Sequence, residues 1–398
     1  MKRTLLNAGL PAIFAAAGAV SAFGQDGTVS RFEAVRGVET EAAQPEPAPN
    51  VTSTSEGEVT LDSADLARIA RAELLTGRLS RSSREAFQRG LMPLADFIDQ
   101  VDLADRTDLW IHEIQRDGGE QSVFDRQIRR WREVVSVLES FNQPNSAGWR
   151  ADLSLARWAL SDAEMRFAAA REDEVMLQRS SRSRADFARG HFVRRTADAE
   201  IGLAAPSEVV RAASILVKSP QTDAFLNGRD QERYLRLVND NTEQTELWGL
   251  LGAGIGRSDR VEQARIDRDS ALLSESIERN DFSTAAELLN RTEAHFQTGF
   301  DEKARFFDTG TASLYDLART WRTWSDLHLA VAEIDELAES AATDGREQAY
   351  SRLRAAADAT TDLRGRHAAD VLFVDVLETV DDLAGMRRQA SRSADYLR

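Results

Sequence analysis

Five aspartates stand at every third position: Asp96, Asp99, Asp102, Asp105 and Asp108. Carboxylates at that density bind a divalent cation, line an aqueous channel, or form an acidic face in solvent. On a helix a step of three residues turns by about −60°, so adjacent members are close while the series winds around the rod. Arg106 is the only base within the series, and the expectation is a solvated acidic face. Asp108 and His112 have i, i+4 spacing and could share one metal ion, with Glu113 adjacent but directed away. Two ligands on one helix do not complete a site, and no His-Glu-x-x-His occurs. His191, His295, His328 and His367 are isolated and read as surface or boundary residues.

Residues Gly249 to Ser258 invite comparison with a phosphate loop, since Gly249 and Gly254 have its spacing. Ile255-Gly256 stands where Lys-Ser/Thr is required, so the run reads as a helix–helix connection. Gly-x-Ser-x-Gly is absent, and no Ser/His/Asp set can be assembled. Carboxylates abound, but glycoside hydrolysis would also need an aromatic-lined cleft. Trp110, Trp131, Trp158, Trp321 and Trp324 fall instead on helical seams. The sequence thus predicts no catalytic residue, no cofactor and no metal, and a protein that is not an enzyme.

The elements that carry these residues follow from composition. The chain has 398 residues, with 66 acids against 50 bases, a net charge of −16. Only Lys2, Lys218 and Lys303 are lysines, and there is no cysteine, so neither a disulfide framework nor a thiolate site is available. Such acidity argues against nucleic acid, whose binding needs clustered Lys and Arg. Residues 1–24 have a secretory signal layout: Lys2 and Arg3, an apolar run from Leu5 to Phe23, and small residues before Gln25. Cleavage there would take the charge from −16 to −18 and place the mature chain in the periplasm or at the outer membrane. Residues 25–61 read as a disordered acidic tether rich in Pro, Ser and Thr. No later stretch has the ~18 uncharged apolar residues of a spanning helix, so no transmembrane helix is expected in the mature chain.

From 62 to 398 the texture is helical, rich in Ala, Leu, Arg, Glu and Asp. It reads as a first half over about 62–248, a Gly-rich connection over 249–256, and a second half over about 258–398. After residue 60 the only prolines are Pro93, Pro144, Pro206 and Pro220, which suits long helices. Leu314, Leu317, Trp321, Trp324, Leu327, Val331 and Ile334 recur at steps of three and four, as do Phe373, Val376, Val380 and Leu383. Breaks at Gly118-Gly119, Asn142 to Ser146, Ala204 to Ser207, Ser219-Pro220, Gly249 to Gly256 and Thr343 to Gly345 predict seven to nine helices.

The most specific feature is an internal echo. At an offset of 220, Phe87, Gly90, Leu94 and Asp96 are matched by Phe307, Gly310, Leu314 and Asp316, and Phe97 by the apolar Leu317. Each copy predicts a helix ending near the aromatic residue, a tight backbone at Gly, and a new helix whose first turn holds the Asp. A partial third copy lies at an offset of 100, where Arg184, Phe187, Arg189 and Gly190 repeat Arg84, Phe87, Arg89 and Gly90. The doubled pattern, heading a long helix in each of two halves, resembles the TolC-like outer-membrane efflux proteins over residues 85–140 and 290–345. Each half of those proteins starts a long periplasmic coiled-coil helix in this way and adds strands to a trimeric barrel. No such alternating strands are visible here, so the resemblance implies the helical portion without the pore.

The reading is an all-α protein, an elongated antiparallel long-helix or coiled-coil bundle with internal duplication. Its expected role is that of a non-enzymatic extracytoplasmic envelope protein similar to the coiled-coil part of TolC-like proteins. It would meet protein partners or copies of itself through helices, with peripheral outer-membrane association compatible with that role. The alternative is a periplasmic helical scaffold or solenoid unrelated to efflux. Coiled-coil arms predict helices of about 30 residues or more, a solenoid shorter stacked pairs.

Overall fold

A computed structural model of the chain describes residues 61–140, 147–202, 204, 206–217, 235–243, 246, 258–332, 334, 337, 344–362 and 368–396. The signal segment, nearly all of the acidic tether and the Gly249 to Gly256 connection lie outside these residues. Among the described residues there is no strand, and the chain is all-α. The helices are α1 Ser63–Gln88, α2 Leu94–Gln115, α3 Glu120–Ser140, α4 Ala147–Ala170, α5 Glu174–Glu200 and α6 Pro206–Val217. After a shorter helical stretch at 235–243 come α7 Ser258–Glu278, α8 Phe282–Asp308, α9 Leu314–Val331, α10 Asp344–Asp362 and α11 Ala368–Tyr396.

With the stretch at 235–243 there are twelve helices among the described residues, more than the seven to nine expected, and two of the unexpected turns carry no Gly or Pro. Glu172 (φ 54°) and Asn280 (φ 58°) end α4 and α7 in the left-handed region, normally left to glycine. Around each, two backbone N–H groups close the helix end: Asn280 N to Ile277 O at 3.0 Å and Asp281 N to Ser276 O at 2.9 Å, with the same pattern at 168–173. The following aspartate then caps the next helix. Asp173 accepts from Met176 N at 2.9 Å and Asp281 from Thr284 N at 3.2 Å.

The described residues fall into two compact units, one over Gln127–Val374 and one made of the residues up to Arg126 together with those from Asp375 onward. In the larger unit α4 packs along α5, α7 along α8, and α9 against α8 and α10. Helix α9 is covered on all sides, as its seam of Leu314, Leu317, Trp321, Trp324, Leu327 and Val331 requires. Three of its buried polar groups find partners: Lys303 donates to Thr320 Oγ1 at 2.7 Å, Arg346 to Ser325 Oγ at 2.9 Å, and Trp321 Nε1 to the Arg346 carbonyl at 3.0 Å, whereas Trp324 Nε1 is buried without a hydrogen bond among the described residues. Such pairing removes most of the cost of placing hydroxyls and guanidinium groups in a core. The helix stops at Val331, so Ile334, the last member of the predicted seam, lies beyond the end of the helix.

The smaller unit is the α1–α2 hairpin completed by the end of α11. Leu383 packs against Ile69 and Ala72 of α1 and Ile111 and Ile114 of α2. Arg71–Glu378 and Arg387–Glu113, both at 2.7 Å, flank that contact. Each fully buried Leu or Ile contributes about 1.5–3 kcal/mol, far more than the exposed ion pairs around it.

Candidate functional site

Both copies of the predicted motif are helix–turn–helix corners, each within its own unit. In the first, α1 ends one residue after Phe87, Gly90 takes φ 69°, and Leu94 opens α2. Phe97 is buried with its ring stacked on Phe87, centroids 4.6 Å apart. In the second, α8 ends one residue after Phe307, Gly310 takes φ 74°, and Leu314 opens α9 with Leu317 buried. The turns match bond for bond. Gly90 N and Gly310 N donate to Phe87 O and Phe307 O at 2.9 Å, while Leu91 N and Thr311 N reach Ala86 O and Phe306 O at 2.9 and 2.8 Å.

They differ at the restart. Ser313 and Asp316 form a reciprocal capping box, Asp316 N to Ser313 Oγ at 3.1 Å and Ser313 N to Asp316 Oδ2 at 3.0 Å. Pro93 offers no side-chain cap, leaving Asp96 in the first turn of α2. The offset-100 echo makes no turn: Gly190 lies in the middle of α5. With Val193-Arg194 where the first copy has Pro93-Leu94, nothing there breaks the helix.

The acidic series is not the solvated face the sequence suggested. Helical rotation carries its last two members inward between α1 and α3. Asp105 is 2% exposed, and Asp108 accepts from Thr76 Oγ1 at 2.5 Å and pairs with Arg126. Arg126 is also 3.7 Å from Asp105. Burial pushes the Asp108 carboxyl above its ordinary range, opposed by the Thr76 hydrogen bond and the Arg126 charge. His112 does not share Asp108; its Nδ1 lies 2.9 Å from Asp117 Oδ1.

The densest constellation of titratable groups lies between α7 and α8. Asp269 has no solvent exposure and is gripped by Arg291, with Arg268 at 3.0 Å. His295, one turn beyond Arg291, places Nδ1 2.7 Å from Glu262 Oε2 and Nε2 3.6 Å from Asp269 Oδ2. Arg265 joins Glu262 to Glu246, at 2.8 Å from each. The hydrogen bond to Asp269 raises the Arg291 guanidinium above its ordinary value, and the bond to Glu246 does the same for Arg265. The two carboxylates approach opposite nitrogens of His295, so they do not converge on one point. The arrangement is a cross-brace of alternating charge holding α7 to α8.

Periodicity did not single out this brace. Asp269 and Arg291 each lie eleven residues from Asn280, so they face each other once the chain folds back there. Asp108 and Thr76 likewise lie sixteen residues on either side of Met92. His328 and His295 are boundary residues: His295 is held by Glu262, while His328 Nδ1 stands 3.8 Å from Glu293, beyond hydrogen-bond reach. His191 overturns the surface reading. It is 4% exposed on the inward face of α5, while His367 lies outside the described residues.

Among the described residues, no group of three or more His, Asp or Glu side chains is arranged to hold a metal ion. No described helix is long and apolar enough to cross a membrane. No family model matches the chain, and no curated protein matches it.

Proposed function

We propose that this protein is a non-enzymatic helical scaffold acting outside the cytoplasm, engaging other proteins or copies of itself through helix faces. The observation that carries this reading is the use made of the buried charges. In the Asp269–Arg291–His295 brace and at Asp108–Thr76–Arg126 they fasten one helix to its neighbour. The signal layout of residues 1–24 supports export. Helix length favours a scaffold over coiled-coil arms, since α1 to α10 run from 12 to 27 residues and only α11 reaches 29.

A second reading, a role similar to the helical portion of TolC-like efflux proteins, is favoured by the matching corners at Gly90 and Gly310. Fractionation, N-terminal sequencing of the mature chain and light scattering separate the two. A processed chain in the soluble periplasmic fraction, cross-linking in the cell to a protein partner or another copy, supports the scaffold. A trimer cofractionating with outer membrane supports the efflux-like role. An unprocessed chain retained in the cytoplasm refutes both.

A further inference from the structure

Helix α5 carries two stripes of three-and-four spacing, one buried inside the larger unit and one exposed. Ser181, Ala185, Ala188 and Phe192 form the inward stripe and are buried. Val175, Arg179, Arg182, Asp186, Arg189 and Val193 form the other, and every one of the six is exposed. Val175 and Val193 are 81% and 57% exposed, unusual for β-branched aliphatic residues. The stripe spans eighteen residue steps, about 27 Å along the helix.

Its charge is opposite to that of the molecule. Residues 175–195 contain six arginines against one aspartate, a net +5, in a chain of net −16. Along the stripe itself three arginines face one aspartate. The pair within it, Arg189–Asp186 at 3.5 Å, is exposed, so a competing carboxylate displaces it at little cost. Beside Arg179 the surface opens into a cleft of about 270 Å³ between α3, α4 and α5. Leu160 and Phe187 give it apolar walls, Ser161 and Ser183 line it with hydroxyls, and its two carboxylates, Glu139 and Glu164, are each held by an arginine, Arg157 and Arg132. Arg157 lies over the Phe187 ring at 5.7 Å and is tied to Glu139 at 2.6 Å, which fixes one wall.

We infer that the exposed stripe of α5 is the docking face for an acidic amphipathic helix of a partner protein, a conclusion that rests on the scaffold reading. The partner's carboxylates meet Arg179, Arg182 and Arg189. Its aliphatic residues cover Val175 and Val193, and one of its larger side chains enters the cleft beside Arg179. Charge sets orientation and rate of encounter, and the apolar ends with the cleft supply the anchors.

The test uses the full mature chain and a labelled synthetic helix of about 21 residues. The peptide carries Leu, Glu, Lys, Glu, Glu and Leu at the same three-and-four spacing. Anisotropy should show saturable binding that weakens with salt. It should fall about tenfold or more in the Arg179→Glu/Arg182→Glu/Arg189→Glu variant, with the helical circular dichroism unchanged. Should that variant misfold, Val175→Glu with Val193→Glu, at the exposed ends, should weaken binding in the same direction.

Equal binding by the variants, equal binding of a scrambled peptide, or binding to phosphatidylglycerol vesicles in place of the peptide would each overturn the inference. Cross-linking to a partner in the cell separates this failure from that of the scaffold reading. If cross-links persist in the arginine variant, only the α5 face is lost; if the wild-type chain yields none, the scaffold reading falls as well.

Discussion

Acidifying the protein from pH 7.5 to 5 should weaken it through His191, and the size of the loss can be worked from its surroundings. The imidazole is 4% exposed, hydrogen-bonded to the Ala151 backbone and placed among Arg195, Arg211 and Arg194. Its Nδ1 is buried with no hydrogen-bond partner among the described residues. Burial is the main cause, and the arginines add to it, of a pKa lowered to about 3. The unfolded chain takes up a proton below about pH 6.5 while the folded chain does not, so stability rises with pH across this window and falls on acidification. Each unit below pH 6.5 costs about 1.4 kcal/mol, or about 2 kcal/mol by pH 5.

Other groups titrate in the same range, so the measurement is a comparison with His191→Gln, which keeps a donor and has no proton to gain. Urea unfolding followed by circular dichroism at pH 7.5, 6.5, 5.5 and 5 should show the wild type more stable at neutral pH. Its advantage should shrink by about 2 kcal/mol at pH 5. Parallel pH profiles for the two proteins would refute the assignment of a buried neutral imidazole.

Three further outcomes follow from the same reasoning. Gly310→Ala and Gly90→Ala should each lower stability by about 1–2 kcal/mol because the left-handed backbone penalises Cβ, whereas Gly190→Ala, in mid-helix, should raise it by about 0.5–1 kcal/mol; thermal melts decide this. Arg291→Ala should cost roughly 2–3 kcal/mol in denaturant titrations, and more than Asp269→Ala, because it strips a partner from a carboxylate with no solvent access while Arg291 itself is half exposed. The raised Asp108 pKa means that the folded state holds this proton to higher pH than the unfolded chain. Wild type should therefore lose stability relative to Asp108→Asn as pH rises from the carboxylate range toward neutrality, and a gap that widens in favour of wild type would contradict the burial argument.

Legibility followed the range of the interaction concerned. The α9 seam and the Gly90 and Gly310 corners were readable because periodicity, a flexible backbone and an N-terminal Asp act within a few residues. The turn at Glu172 escaped because glutamate favours ordinary helix positions, and the run from Asn280 to Ala286, though turn-like, does not read as a break because no repeat period continues it. The signal in both was the aspartate after the turning residue, which caps the next helix. The docking stripe on α5 was not singled out in the sequence, because its spacing does not distinguish it from a buried one. Val175 to Val193 repeats at three and four just as the buried stripe does, and only packing shows which one α4 and α6 cover.

By itself the sequence determined the helical class, the scarcity of breaks and the apolar stripe that each long helix must hide. Tertiary structure alone decided which charges those helices hide with it. Asp105, Asp108, Asp269 and His191 look like their exposed neighbours along the chain. Their burial depends on groups far along the chain, which chain reversal brings together: Thr76 stands opposite Asp108, 32 residues away, and Arg291 opposite Asp269, 22 residues away. Removal from water depends on what lies on every side of a group, and a linear pattern records only its neighbours along one axis.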